Sequence, residues 1–171
     1  MTLSIRLHTH RTSAGFTLAE VLVVLLVIGL AAGFAYARFD SDPRRDLERE
    51  ARRLATALEH AAALAQWRNE TLGVSAGGTA YRFWQRVPST EGDRWIAFES
   101  DEVLAPRALP EPLAAAAREY AGRGVPADAI LPLAASGRNE PYVIEIASPE
   151  WRVLLYADPL NRVAVAAPIP R

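Results

Sequence analysis

The chain has 171 residues, a formal charge of −1, no cysteine, and apolar residues at half its positions. Such a composition supports one packed domain plus an appendage and excludes global disorder. The near-neutral balance gives no general reason to expect nucleic acid as a partner, and the lack of cysteine excludes disulfides, thiolate metal sites and cysteine nucleophiles.

The N-terminus is the most informative stretch. Met1 to Gly15 read MTLSIRLHTHRTSAG, a short polar segment made basic by Arg6 and Arg11. An apolar run follows from Phe16 to Ala37. As a helix it would be about 33 Å long, which matches a hydrocarbon core of about 30 Å. Glu20 interrupts it. A carboxylate at the centre of a membrane helix costs about 2.5–3.5 kcal/mol, and less near an end. Glu20 therefore either snorkels to the interface or has a partner and a task.

Two other readings of this segment compete. Ala35-Tyr36-Ala37 has the pattern of a signal-peptidase site, but the apolar run exceeds the usual 7–15 residues of a signal peptide and contains Glu20. The run could also be a plain anchor for an unrelated domain. Arginine counts oppose an exported C-terminus: Arg6 and Arg11 precede the run, whereas Arg38, Arg44, Arg45, Arg49, Arg52 and Arg53 follow it.

Gly15-Phe16-Thr17-Leu18-Ala19-Glu20 resembles the type IV prepilin signature: a small residue, a phenylalanine, and a carboxylate five positions into the mature chain. The resemblance implies cleavage between Gly15 and Phe16 by a membrane prepilin peptidase, followed by N-methylation of Phe16. Glu20 would then be the assembly residue, since a cationic amine in lipid needs an anion from its own or an adjacent subunit. Ala19 stands where a bulkier aliphatic residue is more usual. The signature overrides the arginine count, because it sets the topology of its family.

Ser41-Asp42-Pro43 punctuates the chain, with Asp42 as a cap and Pro43 in the first turn of a new helix. From there to about Asn69 the residues favour helix. Leu47, Ala51, Leu54, Leu58, Ala61 and Ala65 recur at spacings of four and three and define one apolar stripe. Gly73 is placed to stop this helix.

Strand patterns follow. Leu72–Ala76 and Thr79–Val87 flank a Gly77-Gly78 turn, and Arg94–Phe98 is a further short strand. Pro141–Ala147, Trp151–Ala157 and Arg162–Ala167 read as an antiparallel meander, with Asp158-Pro159-Leu160-Asn161 as a type I turn. Between Glu99 and Pro132 the prolines break the pattern. A short helix over Glu111–Tyr120, stopped by Gly122, and a partner-facing surface are expected there.

Leu72-Gly73-Val74, Tyr81-Arg82-Phe83, Arg94-Trp95, Leu104-Ala105-Pro106-Arg107 with Leu109-Pro110, and Ser136-Gly137 through Tyr142 to Ile146 are similar to the minor pseudopilin H and FimT-type pilin family. This implies an α+β fold, a long N-terminal helix (transmembrane half plus amphipathic half) packed on antiparallel β-sheet. The expected organisation is a leader at 1–15, a transmembrane helix at 16–38, its amphipathic continuation at 39–70, and a periplasmic β domain at 71–171. The implied function is that of a minor pseudopilin of type II secretion at or near the pseudopilus tip, held in the bacterial inner membrane by a single span. The implied partners are prepilin peptidase, other minor pseudopilins, the major pseudopilin, the inner-membrane secretion platform and membrane lipid. A FimT/FimU-like minor pilin of a type IV pilus is the nearest alternative, and a secreted or anchored enzyme a more distant one.

Little else suggests chemistry. His8 and His10 fall in the leader, so trimming would leave His60, off the apolar stripe, as a solvated residue. Gly77-Gly78 lacks the Gly-Lys-Ser of a phosphate loop, and Asp40 and Asp42 lack calcium-loop spacing. Asn69-Glu70-Thr71 is a chance glycosylation triplet. Trp67, Trp84, Trp95 and Trp151 suit core or edge packing better than base stacking. Arg171 alone is a weak sign of DNA binding. No nucleic acid, cofactor, metal site or catalytic residue is expected.

Overall fold

The structure, a computed structural model, describes residues 17–39, 43–90 and 92–171, the side chains of 34–39 excepted. It divides into two units, Met1–Ser41 and Asp42–Arg171. The first holds one helix, α1 (Leu18–Phe39). The second holds α2 (Pro43–Arg68) and eleven strands: β1 (Leu72–Gly78), β2 (Ala80–Val87), β3 (Arg94–Ala97), β4 (Arg107–Ala108), β5 (Ala114–Tyr120), β6 (Arg123–Gly124), β7 (Leu131–Leu133), β8 (Tyr142–Ala147), β9 (Trp151–Ala157), β10 (Val163–Val165) and β11 (Ile169–Pro170).

Among the described residues no helix is long and apolar enough to cross a membrane. Helix α1 has 22 residues, with side chains described only as far as Gly33. Every residue from Thr17 to Gly33 is exposed.

Helix α2 starts at Pro43, whose fixed φ and missing N–H suit a first helical position. All six members of its apolar stripe, from Leu47 to Ala65, are fully buried. The helix lies on one face of the sheet, against β1, β7, β8, β9 and β10. Alanines at 51, 61 and 65 let its backbone approach the strands closely. Its stop is Asn69, not Gly73. Asn69 takes a left-handed φ of 53°. Its N–H bonds to the Gln66 carbonyl at 3.2 Å, and the Glu70 N–H bonds to the Ala65 carbonyl at 3.0 Å. These are the paired bonds of a Schellman ending, in which asparagine can replace glycine.

Gly73 lies inside β1 for a packing reason. A Cβ there would sit 2.7 Å from Ile130 Cγ2 and 2.8 Å from Trp95 Cζ3. A branched side chain and a rigid ring yield little, so Gly73→Ala is expected to lower stability by about 1–3 kcal/mol. Urea denaturation of the detergent-solubilised chain checks this; an unchanged midpoint would show that the pocket relaxes freely.

The sheet is antiparallel, in the order β10-β9-β8-β5-β1-β2-β3, with β11 on β9, β4 on β2, β6 on β5 and β7 on β1. Alternation sends Ile144, Ile146, Val153 and Leu155 into the core. The three strands expected near the C-terminus form the meander β8-β9-β10. The Asn161 N–H closes their second turn on the Asp158 carbonyl at 2.9 Å. The first hairpin turns one residue later than expected: Gly77 pairs with Ala80, which leaves Gly78-Thr79 as the loop. Gly78 supplies the positive φ, 65°, that a two-residue hairpin turn of the II′ kind needs at its first position.

The main departure from expectation is in 99–132. Ala114–Tyr120 is strand β5, not a helix, and it pairs with β8 on one side and β1 on the other. Helix preference of alanine over a strand is a matter of tenths of a kcal/mol per residue, and sheet pairing outweighs it. Ala115 and Ala117 are buried, and Leu104, Leu109, Leu113 and Leu131 join the same core. These residues tie the segment to the core, while most of its other side chains are exposed or half-buried. Three tryptophans pack as expected. Trp84 Nε1 donates to Ser75 Oγ at 2.8 Å, Trp95 abuts Gly73, and Trp151 lies 5.3 Å beneath the Arg44 guanidinium. Trp67 instead is 82% exposed.

Candidate functional site

Of the residues singled out at the N-terminus, Gly15 and Phe16 lie outside the described residues, and Glu20 lies in the first turn of α1. Thr17 caps that helix. Its carbonyl and its Oγ1 both accept from the Glu20 N–H, at 3.0 and 3.3 Å. Thr17-Leu18-Ala19-Glu20 thus has the spacing of a capping box, a signal readable in the sequence that the prepilin signature overshadowed. The Glu20 carboxylate is exposed, at the positive end of the helix dipole. An anion is favoured in that position, so helix start and carboxylate reinforce each other.

In the second unit the best-defined charged contact joins α2 to β4. Arg107 Nε and NH2 donate to Glu50 Oε2 and Oε1 at 3.1 and 2.9 Å, a bidentate fork. The Glu50 side chain is 7% exposed and that of Arg107 32%. The hydrogen bonds to Glu50 hold the Arg107 guanidinium above its already high pKa, and burial pushes the neighbouring Tyr81 phenol up. Glu50 was legible as an oddity: it falls among Leu47, Ala51 and Leu54 at buried helical spacing. Its partner, 57 residues away, was not.

A second buried carboxylate, Glu145 on β8, lies between arginines of the adjacent strands. Arg118 NH2 is 2.6 Å from Oε1, and Arg152 NH1 is 3.7 Å from Oε2. On the loops, Asp101 is held below the usual carboxylate range by the N–H groups of Leu104 and Val103. Asn139 and Asn161, both buried, bond side chain to side chain, and Asn161 Nδ2 reaches the Gly137 carbonyl at 3.2 Å. These contacts fasten loops; they do not converge on a reacting position.

A cleft of about 620 Å³ opens between Glu59 of α2 and the ends of β8, β9 and β10. It is lined mainly by Pro141, Val143, Tyr156 and Ala164. The Glu59 carboxylate accepts the Val163 N–H at 3.0 Å, so α2 covers the outer edge of β10. Burial raises the Tyr142 phenol well above its ordinary pKa. Among the described residues no group of acids and histidines could hold a metal ion. His60 is exposed.

The second unit lays a helix on one face of a broad antiparallel sheet, and an apolar helix with a carboxylate in its first turn precedes it in sequence. The crystal structure of the minor pseudopilin EpsH from the type II secretion system of Vibrio cholerae matches this chain with a TM-score of 0.58 at 19% identity, covering 75% of this chain and 98% of that one. Residues 10–36 match the family described as the prokaryotic N-terminal methylation motif. The chain is 32% identical over 116 residues to type II secretion system protein H of Pectobacterium carotovorum subsp. carotovorum, covering 60% of this chain and 62% of the relative. It is 32% identical over 107 residues to the protein of the same description from Aeromonas hydrophila, covering 60% of this chain and 55% of that relative. It therefore spans less than two thirds of the length of either.

Proposed function

We propose that this chain is a minor pseudopilin of a type II secretion system, a structural subunit without catalysis of its own. The observation that carries the reading is the N-terminal methylation motif at 10–36 joined to an EpsH-like helix-on-sheet unit. Prepilin peptidase cuts between Gly15 and Phe16 and methylates Phe16. The apolar run Phe16–Ala37, whose side chains the structure describes only from Thr17 to Gly33, holds the trimmed chain in the inner membrane as a single span, and the unit Asp42–Arg171 lies in the periplasm. Glu20 then neutralises the new amine, so that the subunit can leave lipid and stack beside other minor pseudopilins and the major one, near the filament tip. Export of folded proteins across the outer membrane follows from filament growth on the inner-membrane platform. The secretion machine is favoured over a type IV pilus because the relatives and the solved neighbour above all carry the former description.

Intact-mass measurement of the chain produced with and without prepilin peptidase tests the reading. The expected product lacks Met1–Gly15 and carries one added methyl group. A chain that begins at Met1 or at Arg38 in the presence of the peptidase would overturn it.

A further inference from the structure

The side of α2 turned away from the core begins as a band of arginine. Arg45, Arg49, Arg52 and Arg53 are exposed and stand opposite the stripe of Leu47, Ala51 and Leu54. The side chains of Arg49 and Arg52 are 73% and 77% exposed. Asp46 and Glu48 stand at the margins of the band. Arg49 meets Asp46 at 2.9 Å, and Arg44 and Arg52 meet Glu48 at 3.6 and 3.9 Å. Glu50 offsets nothing here, because Arg107 engages it from the other side. Among the described residues, two surface carboxylates lie beside five arginines over the first three turns, and Asp40 and Asp42 precede them in the sequence.

On this face the positive charge is confined to one end, and Arg68 of the last turn lies off it. The same face continues through Thr56, His60, Ala63 and Trp67, all exposed, none of them arginine. A helix designed to pair with an acidic neighbour along its length would carry the charge further. Confinement to the end that follows α1 suits a surface that meets α2 at one depth only. Residues 40–42 alone separate the two helices in sequence.

We propose that the first three turns of α2 form an anionic-lipid face, with Arg45, Arg49, Arg52 and Arg53 on the phosphates of the leaflet in which α1 ends. The face holds the C-terminal unit against the membrane until the subunit is drawn into a filament. This rests on the membrane-anchored reading above. It also gives a place, on the exported side, to the arginines whose number alone argues for the opposite orientation. Each basic residue near an anionic surface strengthens attachment about fivefold at low salt, and the effect fades with screening.

The absence of cysteine allows a single reporter. The full chain with Thr56→Cys, labelled with a fluorophore, is reconstituted into phosphatidylcholine vesicles or mixed phosphatidylcholine–phosphatidylglycerol vesicles carrying a headgroup quencher. Stronger quenching is expected in the mixed vesicles. High salt, or the R45Q/R49Q/R52Q/R53Q variant, should return it to the phosphatidylcholine level. These arginines are exposed, so the variant should keep the circular dichroism of the parent. Equal quenching in the two lipids, or quenching that the variant retains, would overturn the inference. Flotation with neutral vesicles separates the two readings. A chain that fails to float overturns the anchored reading and this inference together, whereas one that floats without lipid-dependent quenching overturns this inference alone.

Discussion

Replacing Gly15 with leucine is expected to leave the chain at full length in the presence of prepilin peptidase, whereas Glu20→Ala is expected to be trimmed normally and to enter filaments poorly. The two substitutions separate recognition of the leader from use of the mature terminus. In the proposed processing, cleavage requires a small residue before the cut, so a bulky side chain at 15 is expected to block it. Glu20 acts later. Once Phe16 is exposed, its cationic amine must leave lipid and be packed among other helices. An uncompensated buried charge costs about 3–5 kcal/mol, enough to reduce incorporation by two orders of magnitude or more. Intact mass reads the first step, and the ratio of filament to membrane-pool subunit reads the second.

The Glu20 side chain has a competing local role, because a carboxylate in the first turn of a helix favours the helix start that Thr17 caps. Thr17→Ala distinguishes the two. Loss of a cap costs about 1 kcal/mol and should weaken assembly only slightly. If Thr17→Ala and Glu20→Ala were equally defective, helix capping would explain the effect. Normal incorporation of Glu20→Ala would refute the pairing role.

The largest stability effect is expected from Arg107→Ala. The substitution strands Glu50, whose side chain is 7% exposed, between α2 and the sheet. Removing one partner of a buried pair typically costs about 3–5 kcal/mol. Arg107 is itself about one-third exposed, and water entering its place should bring the loss toward the lower end, about 3 kcal/mol. The double substitution Glu50→Leu with Arg107→Met should regain most of the loss, since well-packed apolar pairs of similar volume replace buried ion pairs at little cost. Urea denaturation of the four members of the cycle in detergent gives the coupling directly. A loss below about 1 kcal/mol for Arg107→Ala would mean that solvent already satisfies Glu50.

The N-terminal methylation motif was legible from the chain alone, because it is a linear pattern of consecutive residues. The roles proposed for Gly15, Phe16 and Glu20 rest on that pattern. The structure adds Thr17 to them, and that too follows from a local spacing. The stripe of α2 and the strands of the meander were equally plain, since periods of 3.6 and 2 are printed in consecutive residues.

What the order of residues determined by itself was therefore whatever is local: the N-terminal motif, the amphipathic helix, and the alternating strands Tyr142–Ala147 and Trp151–Ala157. Only the tertiary structure decided the rest. Ala114–Tyr120 has a helical composition and becomes a central strand because β8 and β1 supply its hydrogen bonds. Gly73 has the look of a helix stop and is required instead by Trp95 and Ile130 closing over it. Glu50 is tolerable in the core because Arg107 arrives from a strand far along the chain. In each case the deciding energy comes from a neighbour that is remote in sequence, and no local propensity of a few tenths of a kcal/mol per residue can anticipate it.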